Sequence, residues 1–205
     1  MSQSKKLTEQ KHDAIVNAAV QIFQAQGFSH SSMDKIAAAA GVSKRTVYNH
    51  FASKELLFDE ILRQLWARSD QDIDYRYFPD RPIKAQLSAI LAAKAKLLAD
   101  QNYQNLARVV LAEMIHSPQL AETVVKTIAN KETHLNTWLE QATRDGRLAC
   151  SDLTFAAEQL HSLIKGFCFW PQITIGLASP SEAETAHIIE QTTAMFLLRY
   201  GTEKL

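Results

Sequence analysis

An all-α fold is what this sequence predicts, and three observations carry the prediction. Apolar residues recur at i, i+3 and i+4 through long segments. Gly27, Gly41, Gly146, Gly176 and Gly201, with Pro79, Pro82, Pro118 and Pro180, fall where such segments end, and only Gly166 lies inside one. No stretch alternates with the period of two that a half-buried strand requires.

Taken in order, the first helix sets Ile15, Ala18, Ala19, Ile22 and Phe23 on one stripe and ends at Gly27. The segment Ser32 to Phe51, SMDKIAAAAGVSKRTVYNHF, then predicts two short helices about a tight turn. Ala37 is small where the two helices approach, Gly41 supplies the positive φ that leaves the first, and Val47 turns back into the core with Ile36, Val42 and Phe51. Ser43 stands as the N-cap of the second helix. A long helix from about Lys54 aligns Leu57, Ile61 and Leu65 and runs until YRYFPDRP breaks it. Helices follow near 83–100, 103–116, 119–145, 152–176 and 182–200. The division expected is a helix-turn-helix domain over 1–54 and a larger helical bundle over 55–205, joined by a continuous helix.

Composition and charge narrow the function. Without strands there is no context for a dinucleotide-binding turn, a phosphate-cradling glycine loop or a nucleophile elbow, and no enzyme is expected. Net charge is zero, yet residues 1–54 carry seven Lys/Arg against three Asp/Glu, leaving the remainder at −4. The basic end is the end that holds the helix-turn-helix. The two cysteines, Cys150 and Cys168, lack the paired spacing of a zinc site and read as packed thiols. MSQSKKLTEQKH has no apolar core of a signal peptide, and no run approaches the ~18 apolar residues of a membrane span. A cytoplasmic location with no membrane partner is expected.

A second helix that buries Val47 and Phe51 and presents Lys44, Arg45, Thr46, Tyr48 and Asn49 outward fits a DNA major groove. It sets donors and acceptors toward base edges and cations toward phosphates. With its flanks, AIVNAAVQIFQAQGF before and ASKELLF after, the segment resembles the N-terminal DNA-binding domain of TetR/AcrR-type bacterial transcriptional regulators. That resemblance implies a three-helix DNA-binding head, an all-helical ligand-binding and dimerisation body, and a homodimer on a palindromic double-stranded operator, repressing until a small molecule releases it. It also assigns roles. Ser32 caps and touches phosphate; Ser43, Lys44, Arg45, Thr46 and Asn49 contact bases or phosphates, with Arg45 the candidate for bidentate guanine recognition. Tyr48 and His50 grip the backbone, and Lys54 holds a phosphate at a helix N-terminus.

In the body, the resemblance places Met114, His116, Trp138, Leu163, Phe167 and Trp170 around an effector cavity, the last two within GFCFWPQITIG. It places Ile188, Ile189, Phe196 and Leu197 in a four-helix dimer interface. No cofactor is expected. One alternative comes from Glu113-x-x-His116 and Glu158-x-x-His161, a spacing that on two helices of a bundle supplies a di-metal site. Such a metalloprotein or metal sensor also needs a carboxylate from each of two further helices, with Glu132, Glu140, Glu182 and Glu184 available.

Overall fold

The computed structural model describes residues 2–69, 73–131 and 133–202. Eleven helices are described: α1 (Ser2–His30), α2 (Met33–Ala39), α3 (Lys44–His50), α4 (Lys54–Ser69), α5 (Ile83–Ala99), α6 (Gln101–His116), α7 (Pro118–Lys131), α8 (Thr133–Arg144), α9 (Leu153–Cys168), α10 (Trp170–Ile175) and α11 (Glu182–Tyr200). Among the described residues the only β pairing is a single bridge, Leu148 with Gly201. The chain divides into two compact units, residues 1–69 with 105–122 and residues 70–104 with 123–205. The expected boundary after residue 54 is therefore not a packing boundary, because α4 stays with α1 in the first unit.

In the first unit, Ile15, Ala18, Ala19 and Phe23 of α1 are buried and Ile22 is half-buried, as an amphipathic stripe requires. They meet Ile36 and Ala37 of α2, Val47 of α3 and Leu57, Phe58 and Ile61 of α4, all buried. Each fully buried Ile or Leu contributes about 1.5–3 kcal/mol relative to exposure. Phe28 closes this core, its ring edge-on to Phe23 and to Phe58 at 5.3 Å each. Gly27, at φ 77° and ψ 160°, kinks α1 just before Phe28, and helical hydrogen bonding resumes only for the last turn.

Gly41 takes φ 65°, and the turn it makes is closed by Val42 N–H donating to Ala37 O at 3.1 Å. The position is sterically open, so a side chain there meets backbone strain and no clash. Gly41→Val places a β-branched residue at positive φ, and an equilibrium denaturation series should show a stability loss of about 1–3 kcal/mol. Full stability in that variant would mean that the turn has another conformation.

In the second unit, α9 packs against α5, α8, α10 and α11, and α5 against α11. Leu87, Leu91, Leu98, Trp138, Leu139, Leu160, Ile164, Phe196 and Leu197 fill its core. Helix α4 is described to Ser69, short of the YRYFPDRP segment expected to end it, and that segment is held by Gln86, itself buried. Gln86 accepts from Phe78 N–H at 2.8 Å and donates to Phe78 O and Arg81 O at 2.8 and 2.9 Å. A polar side chain thus satisfies the backbone of a loop that has no ladder partner.

One expected helix is divided. The stretch 152–176 breaks at Phe169 (φ −139°, ψ −59°), separating α9 from α10. Pro171 has no N–H for the carbonyl of Phe167, and that carbonyl accepts instead from Gln172 Nε2 at 3.2 Å. The stretch 119–145 is described as α7 and α8, with Glu132 outside the described residues. Both cysteines are free and buried, and burial pushes each thiol above its usual range.

Candidate DNA-binding surface

Helix α3 is built from both ends by local hydrogen bonds. The Ser43 hydroxyl accepts from Thr46 N–H at 3.1 Å and pairs with the Thr46 hydroxyl at 2.8 Å, so both side chains are engaged in the cap. Ser32 does the same for α2, accepting from Lys35 N–H at 3.3 Å. Val47 is fully buried and Phe51 nearly so, which turns the opposite face of α3 outward. At about 100° per residue, Arg45 and Asn49 lie at the centre of that outer face, with Lys44 and Tyr48 along one flank and Thr46 and His50 along the other. Seven residues at 1.5 Å span about 10 Å, which suits a groove about 12 Å wide.

The expected DNA residues are in different states of readiness. Arg45 and Asn49 are exposed and have no hydrogen-bond or ion-pair partner among the described residues. Tyr48 is also exposed. Lys44 is exposed but paired, its ammonium on the Asp34 carboxylate of α2 at 2.5 Å, and that contact raises its pKa. His50 is half-buried, with its ring 6.0 Å from that of His12 on α1.

Lys54 departs most from expectation. Its ammonium donates to Phe28 O at 2.6 Å, lies 3.4 Å from Ser29 O and Ser31 O, and sits 4.4 Å from the centroid of the Phe28 ring. In this structure it ties the start of α4 to the carbonyls that follow the Gly27 kink and offers no free ammonium to a phosphate. Lys54→Met should remove about 1–2 kcal/mol of stability through the carbonyls left unsatisfied. Through the loosened head it should also weaken binding to all DNA sequences alike while leaving the salt slope unchanged; thermal denaturation and a salt series of DNA titrations check the two effects.

The body residues expected around an effector cavity are drawn from both units. Met114 and His116 belong to the first unit; Trp138, Leu163, Phe167 and Trp170 belong to the second. Trp138 is fully buried in the core, whereas Phe167 and Trp170 are 56% and 43% exposed. Phe196 and Leu197, expected in a dimer interface, are buried inside their own protomer. The outward apolar residues of α11 are their neighbours Met195 and Leu198, at 56% and 74% exposure, while Ile188 and Ile189 are half-buried.

Among the described residues, neither Glu-x-x-His pair belongs to a cluster that could hold a metal. Glu158 is exposed while His161 is buried, and among the described residues no group of three or more His, Cys, Asp or Glu is arranged to hold a metal. Glu140 is paired with Arg144 at 2.7 Å, and Glu184 is used in the capping box of α11.

Two family models cover most of the chain. Residues 15–61 match the model for bacterial regulatory proteins of the tetR family, and residues 85–202 match that for the AefR-like transcriptional repressor, C-terminal domain. The chain belongs to the TetR family of transcriptional regulators. A TetR family regulator from Pseudomonas syringae pv. tomato str. DC3000 has a crystal structure similar to this one, at 43% identity and TM-score 0.84. That match covers 95% of this chain and 98% of the other. The flavonoid-responsive regulator FrrA is similar at 28% identity and TM-score 0.71, with the same coverage of both chains. UidR of Escherichia coli (strain K12) is 30% identical over 139 residues, 65% of this chain and 64% of UidR. SrpR of Pseudomonas putida matches over 42% of its own length. The alignments thus span between about two fifths and two thirds of these curated relatives.

As a TetR family member the protein is a DNA-binding transcriptional regulator whose helix-turn-helix is α2 and α3. Its family is not an enzymatic one. Among the described residues no helix is long and apolar enough to cross a membrane.

Proposed function

We propose that this protein is a homodimeric repressor that binds a palindromic operator and is released by a small molecule. The observation that carries the reading is the outer face of α3, where Arg45 and Asn49 stand exposed and unpaired. A guanidinium and a carboxamide in that setting are the side chains that read guanine and adenine bidentately. Lys44, Tyr48 and His50 flank them as phosphate contacts, and Ser32, Ser43 and Thr46 hold the frame while offering hydroxyls to the backbone. Lys54 contributes by fixing α4 against the end of α1. The two α3 helices of a dimer would enter major grooves about one helical turn or more apart.

The dimer is supported by an apolar face on the second unit. Phe155, Ser162, Gly166 and Phe167 of α9 are exposed, as are Met195 and Leu198 of α11, and α9 packs on α11. The small side chains at 162 and 166 allow helices of two protomers to approach closely. A bound effector shifts this dimer away from the DNA-compatible geometry only by its differential affinity for the two states, with couplings of about 1–3 kcal/mol typical. Similarity to the flavonoid-responsive FrrA makes flavonoids the first effectors to test.

Selection of genomic DNA fragments by the purified protein, followed by sequencing, tests the reading. An enriched inverted repeat, protected by the protein and released by a flavonoid or by cell extract, is the expected result. Absence of any enriched sequence, with and without extract, would overturn it.

A further inference from the structure

Within the first unit, a cleft of about 340 Å³ lies between the end of α1 and α6, and DNA binding makes no use of it. Its size is that of a small ligand site, which ranges over about 300–1,000 Å³. The gap follows from the kink at Gly27, which carries the last turn of α1 off the helix axis. Gln24 Nε2, donating to Asn105 O at 3.0 Å, still holds the two helices together above it.

The lining combines apolar side chains with polar ones of distinct chemistry. Phe23 and Val109 are buried and Phe28 half-buried, and the two rings meet edge-on. Glu113 is half-buried, while His30 and His116 are exposed. The Glu113 carboxylate stands in the lining itself, so an anionic ligand meets a like charge there. A cationic ligand is opposed from outside the lining, since Lys54 lies over the Phe28 ring and Lys35 donates to Gln26, another lining residue. A carboxylate only accepts hydrogen bonds, so the ligand must bring the donor.

We propose that the α1–α6 cleft is a small-molecule site for an uncharged aromatic alcohol or phenol, with its ring on Phe23 and Phe28 and its hydroxyl donating to Glu113. The site touches Phe28 and Ser29, whose carbonyls hold Lys54, and they are followed by Ser32, the cap of α2. Occupancy is therefore felt at the start of α4 and at the entry to the helix-turn-helix.

Titration of 2-naphthol into the full-length protein, followed by amide chemical shifts, tests the site without reading DNA, so its failure is separate from failure of the repressor reading. Saturable shifts are expected at Gly27, Phe28, Val109 and His116. Ala112, an exposed lining residue on α6, is the place to fill the cleft: Ala112→Trp should abolish these shifts while the thermal midpoint stays unchanged. Glu113→Gln should weaken binding roughly tenfold by replacing a charged acceptor with a neutral one. If Ala112→Trp lowers the thermal midpoint, Glu113→Gln alone decides. Shifts confined to residues of the second unit, shifts that persist unchanged in a folded Ala112→Trp or in Glu113→Gln, or no saturable shift would each overturn the proposal.

Discussion

Leu198→Asp combined with Met195→Asp should yield a folded monomer at micromolar concentration, with operator affinity reduced by about 10²- to 10⁴-fold. Both side chains are exposed in the isolated protomer, so neither change opens a cavity in its core. In a twofold dimer each occurs twice, and burying a Leu or Met contributes about 1.5–3 kcal/mol. A carboxylate in that apolar contact has no counter-charge and costs more than the lost methylenes. The affinity loss follows from linkage, because the second head of a dimer binds at a high effective concentration once the first is seated. Sedimentation with and without DNA, alongside operator titrations, measures both effects. An intact dimer in the double variant would show that this face of α11 is not the interface. Phe196→Ala is the contrasting variant: it removes a buried ring and should destabilise the protomer by about 3–5 kcal/mol.

Arg45→Ala should lower operator affinity by about 1–3 kcal/mol per half-site, so roughly 2–6 kcal/mol for a dimer, and should relax base preference at one position of each half-site. The guanidinium has no partner to abandon among the described residues, so protein stability should be unchanged and the loss should fall wholly on binding. Lys44 differs. DNA binding through its ammonium must first separate it from Asp34, so Lys44→Ala should cost less than Arg45→Ala. Titrations against the selected operator and against versions altered one base pair at a time distinguish the two. Full selectivity in Arg45→Ala would move the reading face elsewhere on α3.

The helix-turn-helix was legible because its determinants are local. Gly41, Ser43, Val47 and Phe51 each act on neighbours within a few residues, and spacing alone conveys their geometry. The apolar stripes of α1 and α4 were readable for the same reason. The outward face of α11 was not, because α11 is apolar on two faces and a one-residue change of phase is about 100° of helix rotation. Phe196 and Leu197 therefore pointed in while Met195 and Leu198 pointed out. The partners of Lys54 were not legible either: they are carbonyls 23 to 26 residues away, placed by a kink whose direction no pattern encodes. The break at Phe169 had a visible cause in Pro171, but GFCFWPQITIG kept an apolar rhythm across it.

The two buried cysteines have a practical consequence. Their thiols are shielded and held above the usual pKa, so at neutral pH little reactive thiolate is presented to a maleimide. A single cysteine introduced at an exposed site, such as Asn17 on α1, would take a fluorophore or spin label against a nearly silent native background. Distances between two such labels, one on each protomer, would then track the spread of the heads as ligand is added, in a protein otherwise unaltered.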